Sequence, residues 1–450
     1  MEVEIISREF IKPTSPTPPA MKTYEVSLLD RLIPPLYVPV ILFYPMDQST
    51  GLAAAERERL LKQSLSETLT LFYPLAGKII DNLSIDCNDQ GVDYLEARVH
   101  CHLVECLNQP NLEYFLKFFP HKASWKAASA GGHVTMVQVN NFACGGIAIG
   151  VLVCHLIADG TALSVFLKGW AATCRKGCET VCPNFDAPSV FKLNKAAFPT
   201  ETIITVLFKS LQAGKPTATR RIVFDASAIA SLKAKASSSS VPKPSRVEVV
   251  SAFLWKCISA AYQAKSGINR PTLITHAVNL RPRSIPPFKQ SSMGNLIWSA
   301  GALCTSEEGA LPYRVTKIRE AVAKINAELV KNLKGDEGFP MLCELLKTIG
   351  GVLPSTASFS EMDHIWFSSW CNFGLYDIDF GWGKPFWASC SAANSSDSEQ
   401  RSTSNKVLLM DTRSPGGVEA WVYLTEEDFT LLGQDKELLA FASMDPSPLT

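Results

Sequence analysis

The sequence predicts a mixed α/β protein built as two domains. Its 450 residues exceed what a single hydrophobic core of about 250–300 residues organises. Strand-like and helix-like patterns alternate in both halves of the chain. Between them, residues 183–220 are rich in proline, charge and loop formers with no sustained period, the composition of a linker.

The first half opens with "VEIISREFI", a strand, followed by "KPTSPTPP", whose prolines forbid helix or central strand. "VPVILFYPM" is a short β-branched apolar strand. "AAAERERLLKQSLSETLTLF" places Leu60, Leu61, Leu65 and Leu69 on one face of an amphipathic helix, which Pro74 and Gly77 bring to an end. "SIDCNDQGVDYLEARVHCHL" predicts two strands joined as a hairpin through "NDQG". "HVTMVQVNNFACGGIAIGVLVCHLIADGTALSVFLKGWAATC" reads strand, turn, buried strand, tight turn and helix.

The second half starts with "TRRIVFDASAIASLKAKA", a strand, an aspartate helix start and a helix. "SRVEVVSAFLWKCISAAYQAK" is amphipathic, with Val249, Phe253 and Cys257 on one face, and "RVTKIREAVAKINAELVKNL" predicts one further helix. The C-terminal part is β-rich: "HIWFSSW", "FGLYDIDFGWG", "FWASC", "KVLLMD" and "VEAWVYL".

Composition excludes several classes. An apolar fraction of 46% with 19% charged residues is that of a soluble globular protein. The 43 basic residues equal the 43 acidic ones, so no net field draws nucleic acid or a membrane surface. No run of about 18 apolar residues predicts a membrane span. "MEVEIISREF" has neither the basic nor the apolar region of a signal peptide, so a cytoplasmic protein is expected. Thirteen cysteines then read as reduced thiols. Cys174, Cys178 and Cys182 match neither zinc-ribbon nor iron–sulfur spacing, and no metal site is expected.

Two stretches carry candidate chemistry. "GGIAIGVLVC" is apolar throughout, as in a central strand, and delivers His155 to the strand's end. Asp159-Gly160 then turns the chain into a helix opened by Thr161. Asp159 can orient the imidazole, or it can simply cap the helix. Cys154 points to the opposite face of the strand from His155. In "YDIDFGWGKP", the "DFG" is not that of a kinase, because no glycine-rich loop, strand lysine or "HRD" precedes it. Its two glycines predict a tight loop with the Trp382 indole buried as a plug and Asp379 buried alongside, held by an arginine or backbone donors.

"HLIADG" and "DFGWG", in that order and about 220 residues apart, resemble the plant BAHD acyl-CoA-dependent acyltransferases. "SPTP", "VSLLDRL", "FYPLAGKI", "FACGGIAIG", "RVEVVSAFLWK", "AVNLRPR" and "MGN" extend the likeness over essentially the whole chain. "SPTP", "CNDQG" and "SSWCNFGLYDIDFGWGKP" are most similar to the vinorine synthase-like branch of alkaloid and alcohol O-acetyltransferases.

The resemblance implies two chloramphenicol acetyltransferase-like domains, residues 1–182 and 221–450. Each is a mixed sheet with flanking helices, joined by a crossover over 183–220, with part of 360–385 pairing with the N-terminal sheet. A channel between the domains would hold His155 as general base, acetyl-CoA as co-substrate rather than a permanently bound cofactor, and an alkaloid or terpenoid alcohol as acceptor. It implies that Asp159 and Asp379 belong to the catalytic motifs, with Asp159 paired to Arg281, or failing that Arg283. Ser368 and Trp370 would lie near the reacting oxygen, and Gly381, Trp382 and Gly383 would support their loop. Ser251 and Asn279 would lie where coenzyme A binds.

A monomer is implied too. The alternatives are a longer or aromatic acyl donor, an amine acceptor, or an inactive member acting as a binding protein, which the intact His155 and Asp159 oppose. Peptide-synthetase condensation domains share the histidine motif, but they carry a second histidine where this chain has Cys154.

Overall fold

The computed structural model describes residues 1–449 except 47–50, 82, 109, 111, 121–127, 178–180, 195–217, 305–308, 353–361 and 391–404. Its strands are, in chain order, β1 Val3–Ile11, β2 Thr23–Glu25, β3 Tyr37–Tyr44, β4 Lys78–Asp81, β5 Ser84–Asp86, β6 Val92–Val99, β7 Thr135–Phe142 and β8 Ile147–Cys154. They continue with β9 Ala218–Phe224, β10 Thr272–Asn279, β11 Ile297–Cys304, β12 Asp363–Ser369, β13 Trp387–Ser389, β14 Lys406–Asp411, β15 Val418–Leu424 and β16 Ser443–Met444. Two large mixed sheets result, ordered β1-β6-β7-β8-β3-β13 and β11-β10-β12-β14-β15-β9-β16, with a small sheet β2-β5-β4 beside them.

The apolar run that ends at the histidine motif is an inner strand. Every residue of β8 is buried, and it pairs antiparallel with both β7 and β3. The helix Ala54–Leu71 buries Leu61, Leu65 and Leu69 completely, as its stripe predicts. It packs on the helix Gly160–Cys174, whose Trp170 Nε1 donates to the Leu61 carbonyl over 3.1 Å. In the second half, Asp225 caps the helix Ala226–Ala236 by accepting the Ala228 N–H. A reciprocal Ser245–Glu248 capping box starts the helix Arg246–Ser266, which buries Val249, Phe253 and Cys257. Each such side chain contributes roughly 1.5–3 kcal/mol.

Four expectations are corrected. β5 and β6 do not form a hairpin: β5 pairs with β2 and β4, while β6 lies between β1 and β7 in the main sheet. The stretch 314–333 is two helices, Leu311–Ala323 and Ala327–Asn332, because Asn326 turns out of the first and caps the second through the Leu329 N–H. Residues 373–383 form a short 3-10 turn, Leu375–Asp377, and irregular loop instead of a strand. The strand that joins the N-terminal sheet is β13, just past 385, whereas Asp363–Ser369 runs between β10 and β14 in the other sheet. Trp387 holds it there, stacked on Phe43 at 5.4 Å and on Trp421 of β15 at 5.9 Å.

Of the expected linker 183–220, the described residues are 183–194, with one short helical turn, Ala187–Val190, and 218–220, which already belong to β9. Asn184 in it bridges to Ser292 of the opposite half. Among the described residues, no helix is long and apolar enough to cross a membrane, and no group of three His, Cys, Asp or Glu could hold a metal ion. Cys174 is buried and Cys182 exposed, while Cys178 lies outside the described residues.

Candidate active site

β8 ends at Cys154, the chain turns over His155–Ile157, and the helix Gly160–Cys174 begins. Asp159 is extended and caps that helix, its Oδ1 accepting the Ala162 N–H at 2.8 Å. A Cβ on Gly160 would lie 2.5 Å from Phe373 Cε2 and 3.2 Å from Trp370 Nε1. Glycine in "HLIADG" therefore lets the aromatic residues of "SSWCNFG" pack against the helix start. Cys154 is buried, and burial pushes its thiol up to about 12, so it stays a neutral apolar filler.

The two halves of the chain meet at this turn. Ala158 forms a parallel bridge with Gly294, in the loop between β10 and β11. Arg281, from that loop and wholly buried, donates to both oxygens of Asp159 at 2.7 and 3.1 Å, and also to the Ser292 and Gly294 carbonyls. Asp159 further accepts the Leu296 N–H. Arg281 is thus the partner, while Arg283 turns to the Asn279 carbonyl. The motif carboxylate is filled by bonds that hold the two halves together, and its helix-capping role coexists with them.

What touches the imidazole is Asn295. His155 Nδ1 lies 2.8 Å from Asn295 Oδ1. The amide orientation is set elsewhere, because Asn295 Nδ2 donates to the His155 carbonyl at 2.7 Å and to Asp30 Oδ1 at 2.8 Å, both pure acceptors for a carboxylate and a peptide oxygen. Oδ1 is therefore the atom facing the ring, so Nδ1 carries the hydrogen and Nε2 keeps its lone pair. The His155 N–H donates to the Leu36 carbonyl at 2.7 Å, which locks the backbone. His155 retains part of its exposure, yet enclosure by protein lowers its pKa below the ordinary imidazole value, against the opposing pull of Asp159, Asn295 and Asp30.

The structure separates the other expected residues. Asp379 accepts the Gly381 and Gly383 N–H groups at 2.7 and 3.0 Å, and both glycines hold positive φ, +112° and +103°. Gly381 abuts Arg175 at the C-terminal end of the helix that His155 precedes. That helix of 15 residues puts Asp379 roughly 20 Å from the histidine, so Asp379 ties its own loop and is not brought to the reacting centre. Its donors are backbone groups, and it is half-buried instead of fully enclosed. Trp382 is buried as a plug, stacked on Phe380 at 5.7 Å.

Trp370 is buried beside Gly160, and Ser368 is half-buried on β12. Ser251 is completely buried, with its hydroxyl 2.9 Å from His276 Nε2, which leaves it no surface to offer coenzyme A. Asn279 Oδ1 accepts the Arg281 backbone N–H at 3.0 Å and so supports the arginine.

Asp30 and Asn295 were missed as site residues by the sequence reading. Both lie inside text that carries the family likeness, "VSLLDRL" and "MGN", but their spacing from His155 of 125 and 140 residues gives no local signal.

Comparison with known proteins fits this geometry. A model described as the Transferase family matches residues 1–439. The chain is 48% identical to epi-neemfruitin B 7-O-acetyltransferase of Melia azedarach over 100% of both chains. It is 47% identical to limonoid 7-O-acetyltransferase of Citrus sinensis, again over 100% of both. The crystal structure of vinorine synthase superposes with a TM-score of 0.80 at 35% identity, covering 98% of this chain and 99% of that one. The chain belongs to this transferase family, the BAHD acyl-CoA-dependent acyltransferases.

Proposed function

We propose that the chain moves acetyl from acetyl-CoA to a hydroxyl of a limonoid-type terpenoid alcohol, with His155 as general base. The observation that carries this reading is the fixed tautomer, with Nδ1–H held by Asn295 and the Nε2 lone pair left for the acceptor at a partly buried strand end. Nε2 takes the proton of the acceptor hydroxyl as its oxygen attacks the thioester carbonyl. The tetrahedral intermediate collapses, the carbon–sulfur bond breaks, and the imidazolium returns the proton to the departing thiolate. Products are the acetyl ester and free coenzyme A. Such acid–base help supplies roughly 10²–10⁴-fold, and positioning and oxyanion stabilisation supply the remainder. The Ser368 hydroxyl and the Trp370 indole are the proposed donors toward the reacting oxygens. Asp159 and Arg281 serve as the brace that keeps the seam closed.

The acceptor class follows from the relatives. Those with 47–48% identity act on the 7-oxygen of limonoids, against 35% for vinorine synthase. This favours a limonoid 7-hydroxyl over an alkaloid. The residues contacting coenzyme A are proposed to come from the β10–β11 loop near Asn279. The domains are proposed as 1–182 and 221–450 around the 183–220 crossover, in a cytoplasmic monomer. The test is a screen of acetyl-, malonyl-, hydroxycinnamoyl- and benzoyl-CoA against 7-hydroxylated limonoids and alkaloid alcohols, followed by thiol release. Turnover with acetyl-CoA and a limonoid is expected. Preference for an aromatic donor would refute the acetyltransferase assignment.

A further inference from the structure

Two buried carboxylates flank the His155 turn, and they are held differently. Asp159 faces Arg281 through both oxygens, so its charge is already matched by a guanidinium. Asp30 is fully buried and accepts four hydrogen bonds from neutral donors: Ser27 N–H at 2.8 Å, Ser27 Oγ at 2.6 Å, Asn295 N–H at 2.6 Å and Asn295 Nδ2 at 2.8 Å. Ser27 Oγ in turn accepts the Asp30 N–H at 3.1 Å. Four donors converge on two oxygens. Burial raises the Asp30 carboxyl above its ordinary value, and these four donors oppose that rise by stabilising the ionised form.

Asn295 links this anion to the ring, with its amide nitrogen on Asp30 and its amide oxygen on His155 Nδ1. We infer that Asn295 and Asp30 are positioning residues of the acyl transfer: Asn295 fixes the histidine tautomer, and Asp30 fixes the amide and offsets the charge of the imidazolium that forms when Nε2 takes a proton. The inference rests on His155 being the base. It assigns to Asp30, acting through Asn295, a support of the imidazolium that adds to that of Asp159, whose oxygens are also held by Arg281.

The charged and titratable groups around this unit are few. His155 feels Asp159 and Asp30, both favouring the imidazolium, with Arg281 bound to the former. Asp30 feels the buried Tyr24 phenol, whose pKa is pushed well up by burial and by Asp30 itself. The thiol of Cys154 is neutral at working pH.

The test compares Asn295→Ala and Asp30→Asn with the parent chain and with His155→Ala, using acetyl-CoA and a 7-hydroxylated limonoid. Thermal unfolding confirms that each variant is folded. Both positioning variants are expected to lose about 10²-fold in kcat, with the KM for acetyl-CoA little changed. In Asp30→Asn the acid limb of kcat/KM moves to lower pH, because the anion that favours the imidazolium is gone. If Asp30→Asn does not fold, the ring ¹⁵N shifts of His155 in Asn295→Ala decide: a mixture of tautomers supports the inference, and an unchanged Nδ1–H form overturns it. Unchanged kcat and pH limb in both variants, with His155→Ala inactive, overturns the inference while leaving the base in place. Full activity in His155→Ala overturns the base, and the inference with it.

Discussion

Arg281 and Asp159 form a two-pronged ion pair at 2.7 and 3.1 Å across the seam between the two large sheets, and both are almost completely buried. A buried pair of this kind is weak evidence for net stabilisation, but removing one partner leaves an unmatched charge. Arg281→Met is expected to lower the unfolding free energy by about 3–5 kcal/mol. Adding Asp159→Asn should recover part of that loss. Urea unfolding of the single and double variants checks both statements.

Gly160 is dictated by its neighbours. Alanine there would push its Cβ to 2.5 Å from the Phe373 ring, so the helix start or the ring must shift. Gly160→Ala should destabilise by about 1–3 kcal/mol and lower turnover, since His155 leads directly into this turn. Adding Phe373→Leu should restore part of the stability. Thermal unfolding and thiol release read the two effects separately.

Much of this was legible in sequence. The β8 run, the Leu61–Leu65–Leu69 stripe and the Val249–Phe253–Cys257 face are local patterns, and each forms where the pattern says. The Arg281 partner was legible through the family likeness. What failed depends on distant pairing. The "NDQG" turn looks like a hairpin, yet its flanking strands serve different sheets. Asp379, counted with the chemistry by its motif although its residues read as architecture, closes a two-glycine loop through Oδ1. Asn295 reaches His155, and Asp30 reaches Asn295, from opposite halves of the chain, and no periodicity reports such a meeting.

Glu58 gives a pH-dependent expectation far from the site. Burial pushes its carboxyl up to about 7, partly countered by Tyr94 and Lys62. An unfolded glutamate titrates near 4.3. Below that pH both states are neutral and nothing is lost; between about 4.3 and 7 the unfolded carboxyl ionises while the folded one stays protonated, so stability falls across that window and the loss is complete above 7. Glu58→Gln should therefore raise the melting temperature at pH 8, by about 1–2 kcal/mol in stability, and change it little at about pH 4. Melting curves at the two pH values check it.

Trp387 ties the sheets together. It stacks on Phe43 and Trp421, packs edge-on to Phe115, and lies 5.2 Å under the Arg221 guanidinium, which pairs with buried Glu419. Trp387→Ala should cost about 3–5 kcal/mol. It should also split unfolding into two transitions, because β13 is the strand that the C-terminal half lends to the N-terminal sheet. Calorimetry distinguishes one transition from two.

The central claim is that the free Nε2 of His155 drives acyl transfer. The direct measurement is coenzyme A release from acetyl-CoA in the presence of a 7-hydroxylated limonoid, comparing the parent chain with folded His155→Ala. A loss of roughly 10²–10⁴-fold in kcat is expected. Turnover at the parent rate would contradict the account.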